Sequence, residues 1–188
     1  MFIMNKFLKL VLLSSVMLSN VVAMEFLQDP FMQAQIVQKF INRKDCKIEL
    51  TGSRKIKKLE YNATTISDEH MNDLLMLDLS ELETLDFFNT LIDCNAVHAL
   101  AEAIGFGRTP KLNYLDMTRS GINYDGVEAI VNAVIEATEN CKLPKMEGLM
   151  LAGNNLSEVQ EADLGAILSQ AVEENAEKFS MFFWNFEE

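Results

Sequence analysis

His70, His98, three cysteines and four arginines are the residues of this chain best suited to acid–base, metal or transfer chemistry. His70 follows Asp68-Glu69, and His98 stands between Asp93 and Glu102, so each imidazole has carboxylates close in sequence that could orient it. Neither belongs to an H-E-x-x-H, and no third ligand follows at metal-site spacing. Both read as surface histidines on the outer side of helices. Cys46, Cys94 and Cys141 form no paired cysteine motif, and three cannot all pair internally. Burial as small apolar side chains is the expectation for Cys94 and Cys141. Gly105-Phe106-Gly107 lacks the rest of a dinucleotide fingerprint and reads as the end of a helix, where glycine is the usual terminator. There is no phosphate loop and no G-x-S-x-G. We therefore assign no catalytic, cofactor-binding or metal-binding residue, and expect no enzyme.

The elements behind these residues carry a stronger signal. Four stretches repeat one apolar pattern: Ile56/Leu59/Tyr61/Thr64/Ile66, Leu82/Leu85/Phe87/Thr90/Ile92, Leu112/Leu115/Met117/Ser120/Ile122 and Met146/Leu149/Leu151/Asn154/Leu156. Phe179/Phe182/Trp184 reads as a fifth, cut short. The starts lie 26, 30, 34 and 33 residues apart, the spacing of units that each bury one face against the next. The paired apolar residues alternate as on a short strand, and the segments that follow switch to a helical period. Ala96, Val97, Leu100, Ala101 and Ile104 make one helical stripe; Val127, Ile130, Val131 and Val134 a second; Leu164, Ile167, Leu168, Ala171 and Val172 a third. Strands joined to parallel neighbours through helices are the economical arrangement for this alternation.

On these motifs residues 46–188 resemble leucine-rich repeats, and with helix-bearing units near thirty residues they are most similar to the ribonuclease-inhibitor-like class, shared by cytosolic receptor and Ran GTPase-activating families. The resemblance implies an α/β solenoid, a horseshoe arc with parallel strands on the concave side and helices on the convex side. Asn154 alone supplies the usual asparagine of the turn; Thr64, Thr90 and Ser120 stand in, and a hydroxyl can bond the same local backbone groups in part. The GTPase-activating families imply a catalytic arginine. Arg108 and Arg119 lie in or beside turns, but nothing around them matches a catalytic motif, and neither is assigned.

On such an arc the residues between the buried strand positions face the concave surface. The central row is Glu60, Asp86, Asp116, Met150 and Phe183; two residues further come Asn62, Phe88, Thr118, Ala152 and Asn185; the row before is Lys58, Thr84, Tyr114, Gly148 and Met181. Acids beside aromatic rings could receive a basic, partly apolar segment of another protein, with Phe88 and Tyr114 as anchors and Asp86 and Asp116 supplying charge complementarity. The expected partner-binding residues are Glu60, Asp86, Phe88, Tyr114, Asp116, Met150 and Phe183.

The ends complete the organisation. Lys6 and Lys9, an apolar stretch through Leu18 and the small-residue end at Ala23 read as a secretory signal peptide over residues 1–23. Its loss leaves 14 basic residues against 28 acidic ones, a net charge of −14. That surface disfavours nucleic acid and anionic lipid. No later stretch approaches a transmembrane length, so no membrane span is expected after cleavage. Residues 24–45 read as an N-terminal capping helix starting at Asp29-Pro30, with Met32, Ile36, Val37, Phe40 and Ile41 as its apolar stripe, and Cys46-Lys47-Ile48-Glu49-Leu50 as a first strand behind it. A hydrophobic content of 49% excludes wholesale disorder. The terminal strand is aromatic and leaves an open edge suited to homodimerisation or strand addition, with Phe183 and Phe186 as outer-face candidates. The expectation is a secreted, non-catalytic protein-binding module, extracellular or periplasmic, extending to a bacterial effector delivered into a host cell. Its rivals are an enzyme or GTPase activator on the same scaffold and a self-assembling structural protein.

Overall fold

A computed structural model describes residues 30–41, 44–53, 55–61, 64–143, 146–179 and 182–186. The expected signal peptide, Asp29, Asn62 and Met181 lie outside them, as do the side chains of Met32, Ile36 and Phe40. The chain is mixed α/β with a mostly parallel sheet. In order it forms α1 (Pro30–Ile41), β1 (Cys46–Leu50), β2 (Ile56–Tyr61), β3 (Thr65–Ile66), α2 (Asp68–Leu75), β4 (Thr84–Asp86), β5 (Leu91–Ile92), α3 (Cys94–Gly105), β6 (Tyr114–Asp116), α4 (Tyr124–Glu139), β7 (Gly148–Met150), α5 (Glu158–Glu174) and β8 (Phe183–Asn185). The main sheet runs β1-β2-β4-β6-β7-β8. β1 pairs antiparallel with β2 and every later pairing is parallel. β3 and β5 form a small parallel pair beside it.

Hydrophobic alternation sets the register. Leu59, Leu85, Leu115 and Leu149 stand side by side in neighbouring strands, all fully buried, and Trp184 extends the row on β8. The helices supply the other wall of the core. Ala96, Val97, Leu100, Ala101 and Ile104 of α3, and Val127, Ile130, Val131 and Val134 of α4, are all buried, as their period requires. Helix starts follow from local chemistry: Ser67 and Ser157 make capping boxes with His70 and Gln160, and Asn123 Oδ1 accepts the Gly126 N–H.

Several expectations are corrected. The fifth apolar stretch lies two residues later than Phe179/Phe182/Trp184, because Trp184 pairs with Leu149 and Asn185 with Met150. Phe183 therefore stands beside Gly148, not Met150, and Phe186 is buried instead of facing outward, since alternation puts it on the side of Trp184. Ala152 is buried because the three-residue strand β7 has already ended and the alternation with it. Cys94 and Cys141 are exposed, one in the first turn of α3 and the other in the turn after α4, while Cys46 is the buried cysteine. Ile41 and Ile167 are exposed; Ile167 lies on α5, the last helix of the stack, whose buried face is narrowed to Leu164, Leu168 and Ala171.

Candidate functional site

One face of the sheet is covered by the helices; the other carries two in-register rows. The first reads Lys58, Thr84, Tyr114, Gly148, Phe183 and the second Glu60, Asp86, Asp116, Met150, Asn185. Of the predicted binding residues, Glu60, Asp86, Asp116 and Met150 thus share one row, and Tyr114 and Phe183 the other. Phe88 joins them from the turn after β4, 48% exposed, with its N–H held by Asp86 Oδ1 at 2.8 Å. It is a turn residue, not a mid-sheet one.

The aromatic part is built around a missing side chain. A Cβ at Gly148 would lie 2.7 Å from Tyr114 Cδ2 and 2.9 Å from Phe183 Cζ, so the two rings close over the glycine backbone. Their centroids are 6.4 Å apart, tilted by 48°. Phe183 remains 51% exposed, which leaves an aromatic platform on the open face.

Charge is unevenly satisfied along the second row. Glu60 is held at 2.6 Å by Lys58 Nζ, with Lys47 at 3.9 Å. The Lys58 hydrogen bond holds the Glu60 carboxyl below its usual range and raises the Lys58 ammonium in return. Asp86 and Asp116 are Cα partners on adjacent strands, and each spends one oxygen on a backbone N–H, that of Phe88 at 2.8 Å and that of Thr118 at 2.9 Å. No ion pair among the described residues engages either. Burial, then the carboxylates of Asp116 and Glu60, push the Asp86 carboxyl up. Burial and the same aspartates push the Tyr114 hydroxyl up. The centre of the face is therefore a negatively charged strip beside aromatic rings, with its own cations gathered at the Lys58 end.

The residues first considered for chemistry do not converge. His70 is occupied at the start of α2, where its Nδ1 lies 3.2 Å from Ser67 Oγ, and His98 is exposed on α3. Among the described residues, no group of three or more His, Cys, Asp or Glu is placed to hold a metal ion, and no helix is long and apolar enough to cross a membrane. An open groove of about 440 Å³ lies between α2 and α3, lined mainly by Leu75, Met76, Ala99, Ala103 and Phe106. At its rim the Arg108 guanidinium donates to the Leu75 carbonyl, and burial lowers its pKa.

That contact belongs to a series the sequence reading missed. Arg108, Lys142 and Lys178 donate to the carbonyls of Leu75, Gly105 and Glu139, the last residues of α2, α3 and α4. Each basic side chain follows one helix and caps the helix before it, satisfying the negative end of that helix. The signal was present as a basic residue three or four positions after each of α3, α4 and α5. Its target was not, because spacing along the chain does not say which helix end a long side chain will meet.

Comparison with known proteins finds no match among family models, curated proteins or solved structures.

Proposed function

We propose that this chain is a non-catalytic protein-binding module on a leucine-rich-repeat-like arc, exported by the signal peptide over residues 1–23, which takes its partner on the open face of the sheet. The observation that carries the reading is the register that lines up Asp86 with Asp116 and Tyr114 with Phe183 across Gly148. An uncovered sheet face needs polar residues for solubility, but exposed Phe183 and Phe88 beside it add nothing to solubility or to the core. Large rigid rings flanked by charge are the composition of binding hot spots. Affinity capture from extracellular and host-cell fractions tests this, using the secreted protein beside an Asp86→Lys, Phe88→Ala, Asp116→Lys variant whose folding is checked by circular dichroism. The expected result is a partner retained by the first and lost by the folded variant; equal recovery by both would overturn the reading. The amino terminus of the secreted protein should be Met24, as read by mass spectrometry.

A second reading has an observation of its own. β8 is the last strand of the main sheet, and Phe183 is exposed on it. Pairing of two such edges would form a dimer. Light scattering should then show a dimer that becomes a monomer when residues 179–188 are deleted.

A further inference from the structure

The open face distinguishes among the segments a protein partner could present. We infer that the partner contributes an arginine whose guanidinium bridges Asp86 and Asp116 while its stem and plane lie against the Tyr114–Phe183 platform. The inference rests on the proposal that this face binds a protein, and deepens it by naming the side chain recognised.

Three features select that side chain. The first is position: Asp86 and Asp116 are Cα partners in adjacent parallel strands, which stand about 4.8 Å apart. Two carboxylates at that separation match the width of a planar guanidinium fork, whereas an ammonium group is a single point of charge. The second is the state of the ligating oxygens. One oxygen of each carboxylate is already bonded to a backbone N–H, and the Tyr114 hydroxyl competes for the Asp116 carboxylate, so at most two oxygens remain for a ligand. That is too few for calcium, which takes six to eight oxygen ligands, and it suits a donor that needs two acceptors. The third is the neighbouring surface. Tyr114 precedes Asp116 by two positions on β6 and so shares its face, and the Tyr114 and Phe183 rings meet over Gly148. A cation that is satisfied at its head by carboxylates gains further from an aromatic face along its flank, and arginine stacks there better than lysine does.

The same row supplies an internal contrast. Glu60 lies beside Asp86 in register, yet Lys58 and Lys47 already face it. The selective position is therefore the middle of the sheet, not its basic end, and a partner arginine is steered away from Lys58. Met150 and Asn185 continue the row beyond Asp116, so the residue adjoining the arginine meets an uncharged, partly apolar surface. The preferred feature is thus an arginine next to an aromatic or aliphatic side chain.

The test is an amide-resonance titration of the isotopically labelled protein with three dipeptides: N-acetyl-Arg-Phe-amide, N-acetyl-Gly-Phe-amide and N-acetyl-Glu-Phe-amide. The Arg-Phe probe should give saturable shifts at the amides of Phe88, Thr118 and Gly148, and bind at least about tenfold more tightly than the Gly-Phe probe. In an Asp86→Asn, Asp116→Asn variant, which keeps both side-chain acceptors for the Phe88 and Thr118 amides, that advantage should vanish while Gly-Phe binding stays unchanged. Equal affinity for Arg-Phe and Gly-Phe at the face would overturn the arginine inference and leave the binding-face reading standing. An Arg-Phe response spread over helix acids such as Asp163 and Glu173, without saturation at the face, would overturn the inference as well. Silence of the face toward all three would overturn both.

Discussion

The turns at the two ends of the strands and helices solve the same problem with different chemistry. On the strand side, Asn89, Arg119 and Gly153 take left-handed backbone conformations, and the next residue turns a polar side chain inward. Asn154 does this most completely: Nδ2 donates to Met117 and Leu151 carbonyls at 2.8 and 2.7 Å, and Oδ1 accepts the Ser120 and Ile122 amides at 3.1 Å. Ser120 reaches back to the Phe87 carbonyl at 2.9 Å, and Thr90 manages one 3.4 Å contact to Phe88. On the helix side, Gly107 and Cys141 are left-handed, and the residue after each is a base that reaches back to the preceding helix. Neutral amide and hydroxyl side chains thus bind one set of turns and half-exposed cations the other. The first should be strong, local and indifferent to salt; the second weaker and screened.

Asn154→Ala attacks the stronger side. It orphans two carbonyls and two amides in a half-buried turn, and should cost about 3 kcal/mol of unfolding free energy. Thr90→Ala, which removes one long contact, should cost about 1 kcal/mol. Urea titrations of the two variants measure the gap, and equal losses would erase the ranking of these turns. Cys141→Gly acts on the helix side in the opposite sense. Gly107 and Cys141 occupy the same position of the same helix-ending motif, in which the Gly107 and Arg108 amides bond Ile104 and Ala103 and the Cys141 and Lys142 amides bond Thr138 and Ala137. With φ at 57°, the cysteine carries a strain that glycine lacks, so the variant should gain about 1 kcal/mol by thermal unfolding. Lys142→Met keeps the aliphatic stem but removes the cation from the Gly105 carbonyl, 2.9 Å away. Its loss should be about 0.5–1 kcal/mol in dilute buffer and shrink in 1 M salt, whereas the Asn154→Ala loss should not change.

Legibility in the sequence followed the same division. Positions whose identity is fixed by period were readable: the leucine row from Leu59 to Leu149, the buried stripes of α3 and α4, and the open-face rows through Met150. The frame slipped where the period was degenerate. Phe179, Phe182, Trp184 and Phe186 are all bulky, so two frames fitted the terminal strand, and only backbone pairing with β7 chooses between them. That slip moved Phe183 by one row and concealed the ring pair over Gly148. Cys141 was misread because its chemistry suggests burial while its place in the motif demands a left-handed turn. The lysine-paired Glu60 and the backbone-bonded Asp86 and Asp116 were indistinguishable in sequence, since Lys58 reaches Glu60 through side-chain geometry alone.

The reaching side chains all point the same way. Ser120, Asn154, Arg108, Lys142 and Lys178 each bond a carbonyl that comes roughly thirty to forty residues earlier in the chain. During synthesis, then, each of these five side chains leaves the ribosome after the carbonyl it bonds. At about 5–20 residues per second, the 33 positions that separate Ser120 from Phe87 take roughly two to seven seconds to appear, long enough for each strand and helix to settle before the next arrives. Nascent chains halted at successive lengths should therefore add structure layer by layer from the amino-terminal end, and the finished stack records the order in which it was made.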